Sequence, residues 1–285
     1  MLQSLRPFPQ FSSVGQLLAP LGASSYDALQ AKATKRFSHG LTATFSYAFS
    51  KTLDNSTNTG NIYDRRSFKG LSPNHVPNIA SLSVSYTVPA VGIAKRSRVA
   101  NAVLSNWRVG TITTWQSGAL LTAPGSNNGI GGFLATGYTR QVRVAGVPLF
   151  LKNPNCGCID PTQDTILNPA AWQDQTAGVP GSNITYFNDF RGQRRPIVSG
   201  GFGKEFQVRE RVTLSIRAEF FNLFNQDLSI PDPSTGSPAL APTRSSNGLL
   251  TGGFGFLNYL TIASNSVNSS LPTPRTGQLV ARFTF

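Results

Sequence analysis

Apolar and polar residues alternate with a period of two in seven separate stretches of the chain, near 26–37, 41–50, 79–88, 107–116, 196–206, 211–221 and 276–285. Successive side chains of a strand point to opposite faces, so each stretch predicts a strand with one apolar face. The cleanest is 41–50, where Leu41, Ala43, Phe45, Tyr47 and Phe49 alternate with Thr42, Thr44, Ser46, Ala48 and Ser50. In 26–37, Leu29, Ala31, Ala33 and Phe37 oppose Gln30, Lys32, Thr34 and Arg36, and Ser38-His39-Gly40 predicts a tight turn into the next strand. Stretch 196–206 is weaker, loosened by Gly200, Gly201 and Gly203. The final stretch sets Leu279, Ala281, Phe283 and Phe285 against Val280, Arg282 and Thr284. A soluble sheet rarely ends on a bare aromatic edge, because edges invite aggregation. A closed barrel in lipid has no such difficulty.

The connections alternate in length. Residues 1–25 show no periodicity and read as loop. Short connections at 38–40, 89–106 and 207–210 alternate with long polar ones at 51–78, 117–195 and 222–275. The longest, 117–195, predicts little regular structure beyond a small hairpin pairing 141–144 with 147–151 across Ala145-Gly146. Short turns on one rim and long loops on the other are the pattern of an outer-membrane barrel. Strands of about ten residues cross a bilayer when tilted by about 45°, and the aromatic residues gather near strand ends, as an interfacial girdle requires. The expectation is the carboxyl-terminal portion, about seven or eight strands, of a larger all-β, antiparallel, up-and-down transmembrane barrel with long extracellular loops. Bacterial single-chain barrels have even strand numbers, so seven strands lead us to expect others upstream and to read 1–25 as the remnant of an extracellular loop.

Composition agrees. Only 13% of the 285 residues are charged, against about 25% in soluble domains, and Gly (27), Pro (19) and Phe (19) favour strands and turns. No run of about 18 apolar residues occurs, so the chain has no transmembrane helix, and 1–11 has no apolar core of signal-peptide length. Cys156 and Cys158 supply half a zinc site at best and read either as a local disulfide in an exposed loop, the disulfide usage of proteins outside the cytosol, or as residues with no role at all.

Several stretches resemble TonB-dependent outer-membrane receptors of the Oar-like, carboxypeptidase-regulatory-like-domain type. They are R-P-F-P-Q-F at 6–11, S-Y-D-A-L-Q-A-K-A-T-K-R-F-S-H-G-L at 25–41, S-Y-A-F-S-K-T-L-D at 46–54, N-W-R-V-G-T-I-T-T-W-Q-S-G at 106–118, L-N-P-A-A-W at 167–172, R-A-E-F-F-N-L-F-N at 217–225 and the terminal A-R-F-T-F. They span nearly the whole chain in the family's order. Where the family carries D-P-R-N, this chain reads Asp64-Arg65-Arg66-Ser67. The resemblance implies a plugged barrel of about 22 strands that imports a large solute with energy from an inner-membrane complex. The chain matches the carboxyl-terminal barrel portion, over 26–285. The regulatory-like domain, the plug and the box that contacts the energising protein have no counterpart in it, so the expectation is a barrel fragment not competent alone. The implied partners are outer-membrane lipid and lipopolysaccharide, the barrel assembly machinery and an unidentified solute. The energising complex would be reached only through the absent amino-terminal part.

On that reading Lys32, Arg36, Arg108, Arg217 and Glu219 are lumen-facing polar residues, and Leu279, Phe283 and Phe285 form a carboxyl-terminal assembly signal. Polar residues facing the interior are also what any large wet barrel requires. One alternative is a small stand-alone outer-membrane barrel with an adhesion or structural role. Another is a polyanion binder, raised by the formal charge of +13. The basic residues are spread along the chain and no reader motif occurs, so no nucleic-acid partner is expected; surplus cations near the rims can instead meet anionic headgroups. An enzyme is the third reading. Asp54, Asp64 and His75 share one long connection, and a His–Asp pair can activate water. No nucleophile motif or metal-spaced cluster accompanies them, so no catalytic, cofactor or metal residue is assigned.

Overall fold

The computed structural model describes residues 4, 8–11, 21–58, 65–89, 100, 101, 105–127, 140–179, 181–194, 196–209, 212–225, 232–236, 238–258 and 275–285. The strands are β1 (Ser24–Ser38), β2 (Leu41–Asp54), β3 (Gly70–Leu71), β4 (Asn78–Thr87), β5 (Arg108–Gln116), β6 (Leu120–Thr122), β7 (Val142–Arg143), β8 (Trp172–Gln173), β9 (Tyr186–Arg191), β10 (Ile197–Arg209), β11 (Val212–Phe221), β12 (Thr243–Arg244), β13 (Leu250–Gly252) and β14 (Thr276–Thr284). Seven long strands form one antiparallel sheet in the order β1-β2-β4-β5-β10-β11-β14, with β3 added to β2. The sheet is open: β1 and β14 are its edges and do not pair with each other. Strand direction alternates, so these two edges run the same way. Antiparallel closure takes an odd number of further strands between them.

The register separates two faces. Phe45 stands opposite Leu82, Val109 opposite Phe202, Ala218 opposite Leu279 and Leu214 opposite Phe283. These rows make one apolar face across the sheet, and it is exposed: Leu29 is 70%, Ile216 37% and Leu279 76% accessible. A sheet this large with its oily face uncovered suits lipid rather than water. The opposite face carries Ser, Thr, Gly and charged residues.

Local geometry explains several of the recurring sequence pieces. The β1–β2 turn has His39 at φ 54° and Gly40 at φ 81°, the double left-handed pair of a type I′ hairpin. A Cβ on Gly40 would also lie 2.5 Å from the Thr87 carbonyl oxygen. Asn106, Asn222 and Asn225 likewise take positive φ, which Asn tolerates better than most residues. The first sits at the entry to β5, the other two at the exit from β11.

The described core lies outside the sheet. Described parts of two long connections, 117–195 and 222–275, fold together into a cap around Leu121, Ala123, Leu149, Leu167, Ala171, Trp172, Phe190 and Phe254, and the third is tied to it where the Thr185 N–H donates to Asn58 Oδ1. The piece 167–172 forms its centre. Asn168 accepts from the Ala170 N–H at 3.1 Å and donates from Nδ2 to the Pro148 carbonyl at 2.8 Å. This caps the short 3-10 turn Pro169–Ala171, which delivers Trp172 against Phe190 at 5.3 Å between ring centroids.

The cap corrects one expectation. Residues 141–144 do not pair with 147–151, although Gly146 does make the left-handed turn between them. β7 pairs with β8, Val142 opposite Gln173. The 149–151 segment instead bonds the 166–168 segment, through Asn168 N–H to Leu149 O at 2.9 Å and Leu151 N–H to Ile166 O at 2.8 Å. Burial of Leu149 and Leu167 in the same core selects the non-local partner over the near one. Cys156 and Cys158 are joined by a disulfide within the cap.

Candidate functional site: the charged face of the sheet

The polar face is built by the register of four neighbouring strands. Arg108 on β5 stands opposite Gly203 on β10, which stands opposite Arg217 on β11. One row towards the cap, Gly110 faces Gly201, which faces Glu219, which faces Gln278 on β14. One row the other way, Glu205 faces Ser215, which faces Arg282. Arg108 and Arg217 therefore share one row, Glu219 lies in the row on the cap side, and Glu205 and Arg282 share the row on the far side.

Glycine makes this arrangement fit. A Cβ on Gly203 would come within 2.6 Å of Arg217 Cγ, and one on Gly201 within 2.7 Å of the Ala218 carbonyl oxygen and 3.3 Å of Glu219 Cγ. The Arg217 and Glu219 side chains lie across β10 in the space those glycines leave. A cavity of about 740 Å³ opens there, lined among others by Arg108, Gly201, Gly203, Glu205, Arg217, Glu219 and Arg282. Arg108 reaches Glu205 at 3.4 Å, Arg217 reaches Glu219 at 3.7 Å, and the Gln278 amide donates to Glu219 at 2.6 Å. All these ion pairs are solvent-exposed, which limits each to about 0–1 kcal/mol.

Of the five polar residues singled out in the sequence, Arg108, Arg217 and Glu219 come together in this cavity. Lys32 shares their face but lies on edge strand β1, opposite Ser46. Arg36 sits in the register break between Lys35 and Ser38. Neither lines the cavity. Glu205 and Arg282 belong to the site and were not among the five, although period-two alternation along β10 and β14 places both on this face. Leu279, Phe283 and Phe285 project from the other face side of β14, with Phe285 98% accessible just beyond the strand.

His75 and Asp54 do not meet as a catalytic pair, and Asp64 lies outside the described residues. The Asp54 carboxylate accepts from Thr57 Oγ1 at 2.5 Å and from the Ser56 and Thr57 N–H groups. His75 is buried, 3% accessible. Its Nδ1 accepts the Thr52 N–H at 3.3 Å, which leaves the proton on Nε2, donated to Asn188 Oδ1 at 3.3 Å. Burial, and then the nearby Arg191 guanidinium, holds the imidazole below its usual pKa. It is a neutral structural clamp. Among the described residues no group of three or more His, Cys, Asp or Glu is placed to hold a metal.

One charged residue stands on the wrong face. Lys204 on β10 is opposite Ile216 on the apolar side, yet only 4% accessible. Its Nζ donates to the Ser105 carbonyl and lies 5.7 Å from the Trp107 ring centroid and 5.3 Å from that of Phe206. The segment before β5 thus folds over it and shields the charge. Its sequence signal was the Lys between Phe202 and Phe206, at apolar parity.

Residues 1–255 match the model of the outer membrane beta barrel domain family. The chain belongs to that family, and it is an outer-membrane protein whose long strands are transmembrane β-strands. Such barrels are generally non-enzymatic. No curated protein and no solved structure matches the chain.

Proposed function

We propose that this chain is barrel wall of a TonB-dependent transporter that takes up a large solute, with no enzymatic role. The apolar face meets lipid and the Arg108–Glu205–Arg217–Glu219 face lines the lumen. The capped loops, which emerge at the long-loop rim, face outward as part of the solute entrance. The observation that carries the reading is the division of one seven-stranded sheet into an exposed apolar face and a charged face with a cavity. The ordered resemblance to Oar-like receptors supplies the energy-coupled part of it. The chain's partners on this reading are outer-membrane lipid, lipopolysaccharide, the barrel assembly machinery, a large solute and, for the receptor as a whole, an inner-membrane energising complex.

The test is deletion of the gene, followed by growth on a panel of large solutes as sole nutrient and uptake measurements with and without an uncoupler. Uptake that is lost on deletion and abolished by the uncoupler supports the proposal. Uptake lost on deletion but indifferent to the uncoupler would make the protein a passive pore. Normal uptake of every solute, with loss of surface attachment instead, would make it an adhesion barrel.

A further inference from the structure

We propose that Arg108, Arg217 and Arg282 form an anion subsite on the charged face, taking a solute that bears a carboxylate or phosphate group; the proposal rests on the lumen-lining reading above. Three observations carry it. The first is charge. Three guanidinium groups line the cavity against two carboxylates, Glu205 and Glu219. Among the described residues the Arg282 side chain makes no hydrogen bond or ion pair. Arg108 and Arg217 hold their glutamates through exposed contacts of 3.4 and 3.7 Å, and Glu219 is already engaged by Gln278. Exposed pairs of this kind exchange readily for a better-placed anion.

The second is spacing. Arg108 and Arg217 occupy one row, separated by Gly203. Their strands therefore stand about two inter-strand distances apart, roughly 10 Å. Both side chains are long enough to converge on a group between them, and in their own row β10 presents only Gly203. The third is chemistry. All three cations are Arg, whose planar fork donates two parallel N–H groups to a carboxylate or phosphate. Gly110 in the next row, where an added Cβ would meet nothing nearer than the Val84 carbonyl oxygen at 3.7 Å, leaves room on the cavity wall for the body of the solute.

The purified full chain, refolded in detergent micelles, is titrated calorimetrically with citrate, with inorganic pyrophosphate, and with maltose as the neutral control. The expected result is saturable binding of at least one anion and none of maltose. Citrate against pyrophosphate tells carboxylate from phosphate preference. Arg282→Gln and Arg108→Gln should each weaken anion binding about tenfold, and Lys32→Gln, on the same face but outside the cavity, less than about twofold, by the free-energy scale of a lost charge-assisted bond. Among the described residues Arg282 has no partner to lose, so R282Q keeps the test valid if R108Q misfolds, as read by heat-modifiable gel mobility. Equal weakening by K32Q and R282Q, or no saturable anion binding at all, overturns the subsite. Energy-dependent uptake without anion binding overturns only the subsite, whereas anion binding without any uptake phenotype overturns only the transport reading.

Discussion

The imidazole of His75 and the amide oxygen of Asn188 meet at 3.3 Å across 113 residues of chain. Arg191 completes the joint by donating to the carbonyls of His75 at 3.1 Å and Gly118 at 3.0 Å. One long connection is thereby bolted to another directly above the strand ends. Protonation of His75 would aim a second N–H, on Nδ1, at the Thr52 N–H. The folded pKa is lowered, so below about 6.5 the unfolded chain binds a proton that the folded cap resists. Cap stability is therefore fully present above pH 6.5 and falls with pH towards the lowered folded value. Thermal melts followed by tryptophan fluorescence should show a lower transition at pH 5 than at pH 7.5. In His75→Gln that pH difference should shrink; an undiminished slope would remove His75 as its source.

Trp172 packs against Phe190 and, at 5.7 Å, against Phe187, and is 6% accessible. Trp172→Ala should destabilise the cap by about 3–5 kcal/mol, the usual cost of deleting a buried aromatic. The sheet has its own ladder and lipid-facing side, so its far-UV circular dichroism should persist while the near-UV signal of the cap is lost. Simultaneous loss of both signals would show that cap and sheet are one cooperative unit.

Gly201→Val places a Cβ 2.7 Å from the Ala218 carbonyl oxygen. That neighbour is backbone and cannot rotate away. The substitution should cost about 1–3 kcal/mol by overpacking, lower the urea midpoint of the refolded chain and narrow the cavity. A midpoint equal to the parent's would mean that β10 and β11 separate more easily than their pairing implies.

Deletion of Phe285 removes a side chain that is almost wholly exposed. Its loss should leave the urea midpoint within about 0.5 kcal/mol of the parent, as for surface changes generally. If Leu279, Phe283 and Phe285 are read by the assembly machinery, the outer-membrane fraction of newly made protein should nonetheless fall several-fold. Undiminished membrane recovery would leave the terminal aromatic with no role in delivery.

The long strands were legible because each repeats one rule, apolar on one face and polar on the other, over nine or more residues. The polar side of that rule also placed Arg108, Arg217 and Glu219 on one face before any register was known. What the alternation could not show was which charges meet, because that depends on stagger between strands far apart in sequence, such as β5 and β10. In the sequence the glycines of β10 only loosen the strand. The meaning of Gly201 and Gly203 lies in the neighbouring strand, whose Glu219 and Arg217 need the room. The cap was opaque for a different reason. Its strands are mostly two or three residues long, as with β7, β8, β12 and β13, too short to carry a period. Its core residues, such as Leu121 and Phe254, come from brief apolar pieces far apart in sequence, with no period to link them.

The cap's bonds also set an order of events. Thr185 N–H reaches Asn58 Oδ1 across 127 residues, Thr122 reaches Thr235 across 113, and Ala239 N–H reaches Gln141 Oε1 across 98. Closing loops of that size by themselves is entropically unfavourable and slow. Pairing of β2, β4, β5, β10 and β11 shortens every one of those loops to the width of a few strands. The cap is thus a late-forming lock: it can click shut only on a sheet already in register, and a chain with a slipped strand would carry its loops unjoined, open to any protease outside.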